Sequence, residues 1–165
     1  MILGMSIQTF TLLHVVISLI GIGTGLIVVA GMLTGNRMEG WTAVFLASTV
    51  LTSLTGFLFP FGAFLPSHVV GVISLVVLVP TLIALYVYDL GGFWRWIYIG
   101  GALLALYLNV FVGVVQAFQK IGFLRPLAPT QAELPFVVAQ GVVLVLFCAL
   151  GIMAVMRFKP EPIEA

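Results

Sequence analysis

The chain has 165 residues, of which 62% are hydrophobic and only 7% are charged. A soluble domain of this size could not cover so much apolar surface with polar groups, so the composition predicts a protein whose solvent is lipid. The formal net charge is +1 and the six basic residues are scattered, which excludes a basic surface for nucleic acid. The single cysteine, Cys148, excludes an internal disulfide.

Five apolar segments are separated by short stretches that collect the charges, prolines and turn residues. A helix needs about 20 apolar residues to cross a bilayer, and each segment is close to that length or longer. We therefore predict an all-α fold, a polytopic transmembrane helical bundle of five spans that forms one domain over residues 1–165. Pro80 should kink the third span without breaking it. The predicted spans cover residues 6–33, 41–59, 68–88, 93–118 and 134–156.

Lysine and arginine alone predict the orientation, because cytoplasmic loops carry an excess of both. With five spans, one side of the membrane holds four of the basic residues and the other side holds two, so we expect the N-terminus outside and the C-terminus in the cytoplasm. The larger group is Arg37, Arg95, Arg157 and Lys159, and the smaller is Lys120 and Arg125. An interfacial belt of aromatic rings is expected at the cytoplasmic edge, from Trp41, Tyr86, Tyr88, Trp94, Trp96 and Tyr98.

Small and weakly polar residues follow one face of each segment, a pattern typical of helices that pack together in lipid. They recur every three or four residues, which places them on one side of a helix. The pattern therefore predicts one closely packed bundle. The faces include Thr11, His14, Ser18, Gly21 and Gly25 in the first segment, Ser48, Thr49, Thr52 and Ser53 in the second, Gly101, Ala105, Asn109, Gly113 and Gln116 in the fourth, and Gly141, Cys148 and Gly151 in the fifth.

The candidate binding residues lie in the outer half of the predicted bundle. His14, His68, Gln116 and Gln140 fall at similar depth, and Asn109 extends the polarity toward the middle of the membrane. Imidazole and amide groups at one depth are what a buried cofactor requires, so we predict these five as cofactor-binding residues. Hydrogen bonds that merely hold helices together remain the alternative.

The chemistry open to such a set is narrow. No Asp or Glu falls within a predicted span, which argues against acid–base hydrolysis and leads us to expect no enzymatic activity from the chain alone. Zinc needs at least three protein ligands, so two histidines predict no such metal site. His14 and His68 could instead ligate the iron of haem b from two helices, or His14 could hold a quinone. Neither histidine has a recognisable second shell in the sequence.

One stretch resembles a known group of proteins. The runs ALYLNVFVGVVQAFQK at 105–120 and APTQAELPF at 128–136, with TGFLFPF at 55–61 and SHVVG at 67–71, are similar to small uncharacterised bacterial inner-membrane proteins. A Leu134–Pro135 pair stands where that group has two prolines. The resemblance implies a multi-pass protein of the bacterial inner membrane and implies no activity.

From these features we expect a structural or accessory subunit of a membrane assembly. Its partners would be the lipid bilayer and either other membrane subunits or further copies of the chain. The alternative is a haem- or quinone-binding redox subunit that uses His14 and His68. The outer loop at 119–133 is the expected surface for a partner outside the membrane, although a plain connector that follows the headgroups fits it better.

Overall fold

The computed structural model of the protein describes residues 2–60 and 66–159. These residues form five long α-helices and one short 3-10 helix, which confirms the predicted all-α fold. The helices are α1 (Ile7–Leu33), α2 (Glu39–Gly56), α3 (Pro66–Tyr86), α4 (Trp94–Lys120) and α5 (Leu134–Arg157), and the 3-10 helix is Arg125–Leu127.

The ends of the helices lie within three residues of the predicted segment ends. Ser6 is the N-cap of α1, and its hydroxyl accepts a hydrogen bond from the Thr9 N–H at 3.1 Å. α3 continues through Pro80, so this proline does not break the helix. The largest difference is in α2, which ends at Gly56 because the next two residues form a tighter turn, with the N–H of Leu58 donating to the carbonyl of Thr55.

The first four helices form a ring. α1 packs along α2, α2 along α3 and α3 along α4, and α4 returns to α1. α2 and α4 also touch across the ring, which leaves α1 and α3 at diagonal positions. α5 lies on the outside against α4 and α1, so α4 contacts every other long helix.

A large cluster of buried apolar side chains occupies one half of the bundle, while Phe10 and Phe118 are buried in the other half. This packed half lies next to the α1–α2 turn, the α3–α4 turn and the C-terminal end of α5. The opposite, polar half comprises residues 7–21, 48–56, 66–74, 109–120 and 134–141, and it contains all five predicted binding residues. The core of the packed half consists of Val28, Val29, Met32, Phe45, Leu46, Leu78, Ala84, Leu90, Tyr98, Ile99, Ala102, Leu103, Ala105, Leu106, Ala154 and Phe158.

Within residues 2–60 and 66–159, four helices are long and apolar enough to cross a membrane, which supports a membrane protein. They are α1, α4, α5 and the His68–Tyr86 part of α3. α2 is not among them. Its 18 residues rise about 27 Å, close to the ~30 Å of the hydrocarbon layer, so length alone would allow a crossing. Its six Ser and Thr residues, together with Glu39, lower its mean hydropathy.

Those hydroxyl residues lie mainly on the inner face of α2. Thr42, Ser48, Thr49 and Ser53 are buried. Several of the hydroxyls donate to the carbonyl four residues earlier in the same helix, as Ser48 does to Val44 O at 2.7 Å, Ser53 to Thr49 O at 2.9 Å and Thr55 to Leu51 O at 2.7 Å. The exposed large side chains of α2 and the turn after it are instead apolar, namely Trp41, Val44, Leu51, Leu54 and Leu58.

Gly101 marks a close approach of α3 and α4. A Cβ at this position would overlap the side-chain oxygen of Thr81. Thr81 is fully buried and its hydroxyl donates to the carbonyl of Val77 at 2.7 Å, so it cannot turn away without losing a hydrogen bond. Gly100 is exposed, and a Cβ there would meet no described atom within 4 Å.

The substitution Gly101→Ala should therefore destabilise the bundle, whereas Gly100→Ala should not. Overpacking of a close contact costs about 1–3 kcal/mol. Alanine at an open helical site gains up to ~1 kcal/mol over glycine. Unfolding of both variants in mixed micelles with increasing SDS measures the difference. Equal stability of the two variants would show that α3 and α4 do not approach closely at position 101.

Candidate functional site: the polar half of the bundle

His14 connects α1 to the C-terminal end of α2. Its Nδ1 lies 2.8 Å from Thr55 Oγ1. The edge of the Phe59 ring meets the imidazole with 5.3 Å between centroids and an interplanar angle of 87°. A Cβ on Gly56 would stand 3.9 Å from His14 Cε1, which places the imidazole beside the last turn of α2. The ring is half-buried in this position.

Thr55 determines which nitrogen of a neutral His14 carries the proton. A hydroxyl group has one proton to donate, and Thr55 donates it to Leu51 O at 2.7 Å. With its proton donated to Leu51, Oγ1 accepts from His14 and Nδ1 is the protonated nitrogen; the opposite tautomer would require Thr55 to donate to Nδ1 instead. Nε2 keeps its lone pair, and no donor in the described part of the chain meets it. The expectation that His14 lacks a second shell was wrong, because Thr55 and Leu51 supply one.

His68 lies in the first turn of α3, at a different side of α2. It is 4% exposed, and its ring stacks on that of Phe57 with 5.8 Å between centroids. Phe57 follows Thr55 by two residues, so the two residues point about 200° apart around the helix axis. His14 and His68 thus contact opposite sides of the end of α2. The contacts of the two imidazoles therefore differ, with Thr55 and Phe59 at His14 and Phe57 at His68.

Asn109 lies where α1, α2 and α4 meet. Its Nδ2 donates to Thr49 Oγ1 at 3.2 Å, and Thr49 is fully buried. A Cβ on Gly21 of α1 would stand 3.5 Å from Asn109 Nδ2 and 3.2 Å from Ser48 Oγ. The predicted packing faces of these three helices are therefore confirmed at this level. The amide of Asn109 therefore forms a hydrogen bond between α4 and α2.

The two glutamines of the predicted set do not join the histidines. Gln140 Nε2 donates to the carbonyl of Phe111 at 3.1 Å and so ties α5 to α4, while its Oε1 is buried with no hydrogen-bond partner among the described residues. Gln116 is exposed on α4. The five predicted binding residues are distributed over separate contacts in the polar half and do not form one cluster.

Two further sequence-based expectations were wrong. Tyr98, expected in the interfacial belt, is only 1% exposed and lies with its hydroxyl 3.4 Å from Thr42 Oγ1. On α5, Gly141 and Cys148 were expected to face the bundle, but both are exposed, and a Cβ on Gly141 would meet no described atom within 4 Å. Only Gly151 of that set approaches a neighbour, with its Cβ position 3.7 Å from Leu103.

The outer loop between α4 and α5 is bonded to itself and to α4. Gln131 Nε2 donates to the carbonyl of Val115 at 3.0 Å. The Glu133 carboxylate accepts from the Thr130 hydroxyl at 2.8 Å and from the Ala132 N–H at 3.1 Å. Desolvation acts to raise the pKa of Glu133, but these hydrogen bonds outweigh it and hold the pKa below its ordinary value. The contacts favour a connector over an open partner surface.

A second polar cluster, which sequence analysis missed, lies at the packed half. Arg37 in the α1–α2 turn forms an ion pair through Nη2 with Asp89 in the α3–α4 turn, and its Nε lies 3.8 Å from Glu39 Oε1. Arg95 Nη1 donates to the carbonyl of Phe158 at 3.0 Å, which brings the end of α5 to the same place. The signal available in the sequence was an acidic and a basic residue in two turns on one predicted side.

The comparisons with known proteins give no family for this chain. No family model matches it, and no curated protein and no solved structure is similar to it at a significant level. The likeness of residues 105–120 to small bacterial inner-membrane proteins therefore stays a resemblance. Conclusions about function depend on the geometry described above.

Proposed function

We propose that the protein is a five-span accessory subunit of a membrane assembly, with its N-terminus outside and its C-terminus in the cytoplasm of a bacterial inner membrane. The packed half carries Arg37, Arg95 and Arg157, and the positive-inside rule assigns that side to the cytoplasm. The observation that carries the accessory role is the use of the polar groups. Most of the side chains that were predicted to bind a ligand instead form a hydrogen bond between two helices.

The fifth span in this proposal is α2. It runs beside α1 over its length and contacts α3 and α4 as well. Its polar groups face inward or bond its own backbone, which is how Ser and Thr are accommodated in lipid. Its exposed face, with Val44, Leu51 and Leu54, is suited to acyl chains. The hydroxyl residues of α2 are therefore compatible with a position in the membrane, because the neighbouring helices shield them from lipid.

The interhelical bonds support a structural role. Asn109 bonds Thr49, His14 bonds Thr55, and Gln140 bonds the carbonyl of Phe111. Each bond joins two different helices, so the bonds fix the arrangement of the helices relative to one another.

The surface proposed for assembly is the outer face of α5. Gly141 and Cys148 are one heptad apart and therefore lie on one side of the helix, and neither is covered by the described chain. Small residues on an uncovered helix face allow close approach of another transmembrane helix. The neighbouring side chains are apolar and exposed, including Val138, Val142 and Val145.

The proposal predicts that the protein, released from its own membrane in a mild detergent, has a mass above the 17.7 kDa of one chain. Gly141→Leu should weaken the association at least tenfold, about 1.4 kcal/mol, because the added side chain holds the partner helix away. Gly100→Leu adds the same group to an exposed glycine of α4 and is the matched control. Native mass spectrometry gives the masses. A wild-type protein that is monomeric before any detergent exchange would contradict the proposal.

A second function is favoured by one observation at His14. Its Nε2 offers a lone pair, and Thr52 Oγ1, one turn before Thr55 on α2, is buried with no hydrogen-bond partner among the described residues. A half-buried acceptor in the polar half suits an apolar ligand that donates a hydrogen bond, such as a quinol. Of the two cofactors expected from sequence, this geometry favours a quinone over haem held by His14 and His68.

Nitrogen NMR of the protein with labelled histidine in bilayers should show His14 protonated at Nδ1. A short-chain quinol should shift the His14 Nε2 resonance and leave that of His68 in place, because only His14 has the bonded Thr55. Thr55→Val should remove the tautomer preference, whereas Thr11→Val, one turn before His14 on α1, should not. If the chemical shift of His14 Nε2 does not change at a saturating concentration of the quinol, this second function is excluded.

A further inference from the structure

The packed half contains a polar cavity at the level of the turns. It has a volume of about 420 Å³, within the ~300–1,000 Å³ typical of ligand sites. The cavity is lined by both polar and apolar side chains, among them Arg37, Glu39, Asp89, Tyr86 and Tyr98. Exposed aromatic rings stand nearby, with Trp41 at 49% and Tyr86 at 62% exposure, as expected of side chains in the headgroup layer.

Arg37 lines this cavity, and some of its N–H donors make no hydrogen bond within the described residues. Its side chain is only 14% exposed. Nη2 pairs with Asp89 and Nε lies 3.8 Å from Glu39 Oε1, but neither Nε nor Nη1, both buried, has a hydrogen-bond partner among the described residues. Buried donors of a guanidinium are usually satisfied, and phosphate oxygens match their planar arrangement. The residue is held in position because Thr42 Oγ1 donates to the Arg37 carbonyl at 3.2 Å.

An apolar groove continues from the polar cavity. It lies between α2 and α3, has a volume of about 440 Å³, and is lined by Ala43, Leu46, Ala47, Val50, Leu51, Leu82 and Tyr86. Tyr86 belongs to both the cavity and the groove, so the two meet at this ring. From residue 43 to residue 51, α2 rises about 12 Å, which is most of one ~15 Å leaflet.

We propose that the cavity and the groove together bind one phospholipid with an amine-bearing, zwitterionic headgroup. Its phosphate lies at Arg37 and one acyl chain lies in the groove between α2 and α3. The charge of the cavity selects the headgroup. The charged side chains that line the cavity are two carboxylates, Glu39 and Asp89, and one guanidinium, Arg37. Arg95 of the same polar cluster is not in this lining and donates to the Phe158 carbonyl. The two carboxylate side chains are 66% and 47% exposed. A phosphate alone would meet two like charges, whereas a phosphoethanolamine also offers an ammonium group to them.

The test uses the full-length protein, delipidated in mild detergent and titrated with phosphatidylethanolamine or phosphatidylglycerol of identical acyl chains, with bound lipid counted by native mass spectrometry. Phosphatidylethanolamine should bind at least tenfold more tightly. Arg37→Ala should weaken it at least tenfold, while Arg125→Ala, at a basic residue in the outer loop, should leave it unchanged. Glu39→Gln should reduce the preference between the two lipids.

A second variant separates lipid binding from folding, because Arg37→Ala also removes the ion pair with Asp89. Ala47→Phe fills the groove from an exposed position without changing any charge, and it should weaken phosphatidylethanolamine at least tenfold. Glycerophosphoethanolamine, which has the headgroup and no acyl chains, should not compete. The proposal is overturned by equal affinity for both lipids, by full competition from the soluble headgroup, or by unchanged binding in Ala47→Phe.

Discussion

A polar group inside a bilayer has no water to bond, so it must find its partner within the protein. The hydroxyl face of α2 is turned toward α1 and α4, and most of its hydroxyls have such a partner. Thr52 Oγ1 is the exception, since it is buried and has no hydrogen-bond partner among the described residues. Thr49 receives the amide of Asn109, and Ser53 and Thr55 donate to carbonyls of their own helix. The ring of α1 to α4 is arranged around this helix, and the cavity and groove of the packed half both border it.

The two halves of the bundle differ in how they are held together. At the packed half, apolar side chains interdigitate and glycines permit close approach; a Cβ on Gly25 would lie 2.6 Å from Leu106. At the polar half, single hydrogen bonds between helices replace much of that packing. Such bonds contribute modestly in membranes, about 0.6 kcal/mol on average, because an unfolded helix in lipid also finds partners. The polar half is therefore the part of the bundle where a ligand or a second subunit would change the arrangement most.

Sequence predicted the helices well because each helix is encoded locally, by an apolar run bounded by turn residues. It also predicted the level at which α1, α2 and α4 meet, since small residues such as Gly21 recur at helical spacing, but it wrongly placed the exposed Gln116 on the inner face of α4. The sequence-based predictions failed where the burial of a residue depends on which helices are neighbours. Nothing local distinguishes the exposed Gly141 from the buried Gly25, and nothing local shows that Tyr98 points into the core.

The candidate sites show the same limit. The bond between His14 and Thr55 joins residues 41 positions apart, and that between Arg37 and Asp89 joins residues 52 positions apart. Each requires the register of two helices or the meeting of two turns, which periodicity does not contain. The diagonal placement of α1 and α3 separates His14 from His68 for the same reason. Residue types could therefore indicate candidates, while their grouping required the fold.

The central claim is that α2 crosses the membrane despite its hydroxyl residues. With Cys148 replaced by alanine, single cysteines at Gly40 and Leu58, both exposed, can be labelled with an impermeant maleimide in sealed vesicles. We predict that positions 40 and 58 react from opposite sides of the membrane. Single cysteines at Gln8, in the first turn of α1, and at Gly40, in the first turn of α2, should also react from opposite sides. Reaction of positions 40 and 58 from the same side would contradict the account.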